Sequence, residues 1–77
     1  SEQEAVDAAQ ALGYPVALKI ESPDIGHKTE AQGVKLGLGD EAAVREGYAA
    51  VLAGARRYKA DARIEGVVVQ EMVRGEV

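Results

Sequence analysis

Residues 16–21, Val-Ala-Leu-Lys-Ile-Glu, alternate with a period of two directly after a segment whose apolar residues recur at helical spacing. Period two places Val16, Leu18 and Ile20 on one side of an extended chain and Ala17, Lys19 and Glu21 on the other, the mark of a half-buried strand. The boundary between the two regimes is punctuated by Gly13 and, two residues on, Pro15, which stop a helix. Upstream, Ser1-Glu2-Gln3-Glu4 has the S-x-x-E form of a capping box, and Ala5, Val6, Ala9 and Leu12 supply the helix with an apolar stripe.

The same reasoning carries through the chain. Ser22-Pro23-Asp24 ends the strand, and the polar stretch through Glu30 reads as an extended loop. A second alternating run puts Val34, Leu36 and Leu38 on one face, with Lys35 and the glycines on the other, so a hairpin with a long loop is expected. Asp40 is a good helix cap and Glu41 suits the positive N-terminal dipole. Val44, Tyr48, Val51, Leu52 and Ala55 then form one stripe, and Arg56, Arg57 and Lys59 complement the C-terminal end. Ile64 to Met72, apolar on both faces around Val67, Val68 and Val69, is expected to be the most buried strand. The order is αββαβ: a small α+β domain with an antiparallel sheet and two helices on one side of it.

A chain of 77 residues holds one small domain, so residues 1–77 are read as a single unit. Its three aromatic residues are all Tyr and it has no Cys, which leaves a thin aliphatic core without disulfides or thiolate metal sites. A domain of this size nets roughly 3–5 kcal/mol unless something staples it, so neighbouring protein is expected to lend support. The start inside a cap and the stop at Gly75-Glu76-Val77, where a new extended segment begins, read as a piece of a longer polypeptide. A net charge of −4 with interspersed signs argues against a nucleic-acid partner. No apolar stretch reaches the ~18 residues of a membrane span, and Ser1 to Gln10 lacks a signal-peptide pattern. A cytoplasmic setting without membrane contact is therefore expected.

The loop from Ser22 to Thr29 carries the only His of the chain, His27, beside Lys28 and Thr29. An imidazole with a pKa near working pH can act as nucleophile or proton carrier; an ordinary solvated loop is the plainer reading. Lys19, mid-strand, is either a fixed cation for phosphates or one half of an ion pair with Glu21 or Glu71. Gly33, Gly37 and Gly39 allow close backbone approach by a guest such as phosphate, though a bulge and a turn explain Gly37 and Gly39 as well. Gly37-Leu38-Gly39-Asp40-Glu41-Ala42 has the loose G-x-G-x-x-A form of a dinucleotide-binding turn, but Asp40 and Glu41 would stand where the pyrophosphate belongs. At the end of the last strand, Glu71 and Glu76 can accept from a base and a ribose, with backbone groups at Met72 and Val73 reading the base edge; acids facing water explain them equally. The sequence has no His pair at metal spacing, no nucleophile elbow and no P-loop, so no metal ligands are assigned.

Three strings together carry a resemblance. Ala11-Leu12-Gly13-Tyr14-Pro15-Val16-Ala17-Leu18-Lys19-Ile20 resembles the "lGyPvvlK" strand of ATP-grasp proteins. Ser22-Pro23-Asp24-Ile25-Gly26-His27-Lys28-Thr29 with Gly33-Val34 is similar to the "SPDIxHKT…GGV" signature of NDP-forming acyl-CoA synthetases, and Gly66 to Val73 is similar to their "GvlVQ.Mv" strand. The resemblance implies the small nucleotide-covering subdomain of an ATP-grasp fold, with ATP or ADP as ligand. Mg²⁺ would be bound mainly by a second subdomain, and CoA by a CoA-binding domain or subunit of the parent. It implies that Lys19 binds phosphate, that Gly33 belongs to the glycine-rich loop over the phosphates, that Glu71 and Val73 lie at the adenine hinge and that Glu76 contacts ribose. His27 would relay a phosphoryl group towards an acyl phosphate. The parent would be an acid–thiol ligase, with the 77-residue piece inactive alone. Gln32-Gly33 departs from the usual Gly-Gly, and a Gln there also resembles synthetase-like regions of bacterial protein lysine acetyltransferases. The alternative is thus a regulatory or ligand-sensing region of such a fusion.

Overall fold

The computed structural model describes residues 1–26 and 32–72. The elements run α1 (Glu2–Leu12), β1 (Val16–Glu21), β2 (Val34–Leu38), α2 (Glu41–Tyr58) and β3 (Gly66–Glu71). The capping box forms as expected: the Ser1 hydroxyl accepts from the Glu4 amide, and the Glu4 carboxylate accepts from the Ser1 backbone. At α2 the Asp40 carboxylate accepts from the Ala43 amide at 2.8 Å. That helix N-terminus is thereby occupied by its own cap, which disposes of the dinucleotide-turn reading.

The three strands form one sheet in the order β2-β1-β3, both pairings antiparallel. Both helices pack on one face. Ala5, Val6 and Ala9 of α1 and Val44 and Val51 of α2 close on Val16 and Leu18 of β1. A second apolar cluster joins Ile20 and Ala55 to Ile25 and Ala62 from the loops. Leu12, the last residue of α1, stays outside, 42% exposed.

Two expectations are corrected. The most buried strand is β1, not the Val-rich β3, whose residues are at best half-buried. The reason is pairing: β1 lies between two strands, whereas among the described residues β3 has a neighbour on one side only. The second correction concerns β2. Val16 pairs with Leu38 but Leu18 pairs with Lys35, so β2 carries one extra residue. Gly37 sits in this bulge at φ 68°, a left-handed backbone that a side chain would strain. The extra residue reverses the alternation. Val34 shares the open face with its partner Lys19, Leu36 is 64% exposed, and Lys35 and Leu38 turn to the helix side opposite Leu18 and Val16. The Gly37 amide finds its acceptor in the Met72 sulfur at 2.9 Å, a side chain that must cross the central strand to reach it.

Candidate functional site

The helices cover one face of the sheet, and among the described residues no helix packs on the other, where Ala17 is nonetheless buried. Register places Ala17, Lys19 and Glu21 of β1 on that open face, level with Val34 of β2 and with Gln70, Val68 and Gly66 of β3. Lys19 is therefore the cation at the centre of a three-strand platform, flanked by Val34 on one side and Val68 on the other. Its side chain is half-buried, as expected when apolar neighbours cover the methylene stem while the ammonium stays outward. Among the described residues the ion pairs involve Arg45, Lys59, Arg63 and the N-terminus, and none reaches Lys19. Glu71 is not a candidate partner on this face, since it pairs with Val16 and so falls on the helix side. A central cation on an apolar platform is suited to an anionic ligand.

Gly33 is brought beside Lys19. It is buried, and its carbonyl accepts from the Ile20 amide at 2.7 Å. Glu71 stands about 10 Å along the strand from the Lys19 partner Val68, at roughly 3.3 Å per residue. Its backbone is placed in a useful way. The Met72 amide donates to the Pro15 carbonyl at 3.1 Å, so by antiparallel alternation the backbone groups of Glu71 point off the outer edge of β3. His27, Val73 and Glu76 lie outside the described residues. Two surface grooves, one between β2 and α2 and one between α1 and β3, open on the helix side and do not include Lys19. Among the described residues no three His, Cys, Asp or Glu side chains converge to hold a metal ion, and no helix is long and apolar enough to cross a membrane.

The loop after β1 shows what its residues do before His27 is reached. The Ser22 hydroxyl, buried, accepts from the Asp24 amide at 3.2 Å. The Asp24 carboxylate accepts from the Arg63 amide at 2.8 Å, and Ile25 is 1% exposed within the second core cluster. These anchors were not singled out from the sequence. The one available signal was the isolated apolar Ile25 in a polar stretch. At the other end of the loop Gln32 has φ 57°, a left-handed conformation in a residue with a Cβ.

An ATP-grasp domain family matches residues 1–77, the whole chain. The chain belongs to the ATP-grasp family. It is also homologous to ADP-forming acyl-CoA ligases. An ADP-forming 4-hydroxybutyrate–CoA ligase of Nitrosopumilus maritimus is 45% identical over 75 residues, covering 97% of this chain and 11% of that one. A dinucleotide-forming acetyl-coenzyme A synthetase 1 of Ca. Korarchaeum cryptofilum, solved in complex with coenzyme A, Ca-AMPCP and HgCl⁺, superposes with a TM-score of 0.94. It is 41% identical, with 97% of this chain and 33% of that chain covered. A second structure of that synthetase, with coenzyme A, acetyl-coenzyme A and a phosphorylated phosphohistidine segment, gives a TM-score of 0.80 at 39% identity over 97% of this chain and 31% of that one. The ATP-grasp chain thus spans about a tenth of the first relative and about a third of the solved chains.

Proposed function

We propose that this chain is the small nucleotide-covering subdomain of an ADP-forming acyl-CoA ligase. The observation that carries the reading is Lys19, a central cation on the open face with no carboxylate partner among the described residues. Support comes from relatives that are ADP-forming ligases and from a relative solved with coenzyme A and Ca-AMPCP. In this reading Lys19 neutralises phosphate charge, and Gly33 brings backbone close to the same phosphates. The outward backbone of Glu71, with Val73, meets the adenine edge, and Glu76 meets the ribose. Mg²⁺, bound mainly by a second subdomain, would add charge neutralisation; CoA would bind in another part of the parent, in the cytoplasm.

His27 is the proposed phosphoryl carrier. In the ATP-consuming direction the bond from the terminal phosphorus to the ADP oxygen breaks as a P–N bond to an imidazole nitrogen forms. The phosphoryl group then passes to a carboxylate, and CoA displaces phosphate from the acyl phosphate to give the thioester. The intact parent, given Mg²⁺ and ATP labelled in its terminal phosphate, is expected to gain acid-labile, base-stable phosphate that His27→Ala abolishes. Full labelling of the variant would remove His27 from the mechanism. ATP binding without labelling of the wild type would favour the acetyltransferase-type regulatory region, the reading that Gln32 in place of the usual glycine supports.

A further inference from the structure

We propose that the Met72 side chain is the platform on which the base of the nucleotide rests; the inference deepens the nucleotide reading of the open face and rests on it. Met72 follows β3 and stays in register, its amide donating to the Pro15 carbonyl at 3.1 Å. Continuing the alternation from Val68 and Gln70 puts its side chain on the open face with Lys19. The sulfur accepts from the Gly37 amide at 2.9 Å, on the far side of β1, so the side chain lies across the central strand. Gly37 stands opposite Ala17, between the Val16–Leu38 and Leu18–Lys35 pairs. Ala17, beneath that path, is 3% exposed on a face that carries no helix among the described residues. The bulge of β2 and the end of β3 thus hold one flexible side chain in a fixed place.

Place and chemistry together assign the role. Ala17 is two residues from Lys19 on the same face, about 7 Å along the strand towards the Glu71 end. A ligand with its phosphates at Lys19 and its base edge at the Glu71 backbone therefore passes its ring over Met72. The described residues offer that ring no aromatic partner: Tyr14 and Tyr48 pack on the first core cluster, and Tyr58 ends α2. A polarisable thioether makes favourable contacts with aromatic rings, and it is the group this face supplies. An unbranched side chain ordinarily loses much rotamer freedom when a ligand settles on it. The Gly37 amide restrains Met72 beforehand, so less freedom is left to lose when the base arrives.

The test uses the intact parent with isotope-labelled methionine methyl groups, the Met72 resonance being assigned by its loss in Met72→Leu. Saturating ATP is expected to move that resonance through the ring current of the base, and inorganic tripolyphosphate to leave it in place. Calorimetric titration is expected to show ATP affinity about tenfold weaker in Met72→Ala and near wild type in Met72→Leu, which keeps the apolar bulk, with tripolyphosphate affinity equal in all three proteins. A wild-type parent that binds ATP without moving the resonance, or a Met72→Ala variant that binds ATP as wild type does, would overturn the platform and leave the nucleotide reading standing. Equal weakening towards ATP and tripolyphosphate in Met72→Ala would make the residue structural and overturn the inference. So would a lowered melting temperature with unchanged ATP affinity, which would show that protein and not a base covers Met72. A wild-type parent that binds no ATP would overturn the nucleotide reading and this inference together.

Discussion

Gln32 holds a left-handed backbone, φ 57°, at the position where a glycine would adopt it freely. An L residue in that region is strained by about 1–2 kcal/mol, and glycine recovers part of this after its own loss of chain entropy. Gln32→Gly is therefore expected to stabilise the folded chain by about 0.5–1 kcal/mol in urea unfolding, and Gln32→Val to destabilise it. Equal stabilities for all three would show that the turn relaxes to another conformation. At this scale the sequence was informative about Lys19 and silent about Asp24. The face of Lys19 follows from the period of its own strand, a local property. The partner of Asp24 is 39 residues away and is a backbone amide, which carries no mark in the sequence.

Among the elements, α2 and the sheet approach each other at Gly47, where a Cβ would lie 3.0 Å from Leu38 Cδ1 and 3.4 Å from Leu18 Cδ1. Leu38 is half-buried on an edge strand and can rotate away, so Gly47→Ala is expected to be close to neutral, its gain of up to about 1 kcal/mol in helix propensity offsetting the crowding. Gly47→Val has no such room beside Leu18, which is fully buried, and should lose about 1–3 kcal/mol in the same unfolding measurement. A Val variant as stable as wild type would mean that the helix stands further off than described. Every helix and strand was legible as an element from local pattern, because caps, stop signals and alternation are properties of neighbouring residues, but the alternation read for β2 held only as far as Leu36. The bulge at Gly37 and the edge position of β3 were not. The first reads in sequence like any strand glycine, and the second depends on which strands pair.

The described residues form a two-layer unit, with helices on one face of the sheet and none on the other. Helices bury Val16, Leu18 and Ile20, while the opposite side shows Lys19 among short apolar side chains and leaves Leu36 exposed. The α1–α2 contact on the helix side is stapled by Arg45, which donates to Glu2 and Gln3 of α1 and to Glu41 of its own helix. The hydrogen bonds to Glu2 first and then Glu41 raise the guanidinium pKa above its ordinary value. The central claim is that the open face holds nucleotide phosphate through Lys19. The most direct measurement is calorimetric titration of ATP into the intact parent carrying Lys19→Ala or Lys19→Met, the latter retaining the apolar stem. Loss of a charge-assisted phosphate contact should weaken affinity by about tenfold to a hundredfold while the melting temperature stays at the wild-type value. Unchanged affinity in both variants would contradict the account.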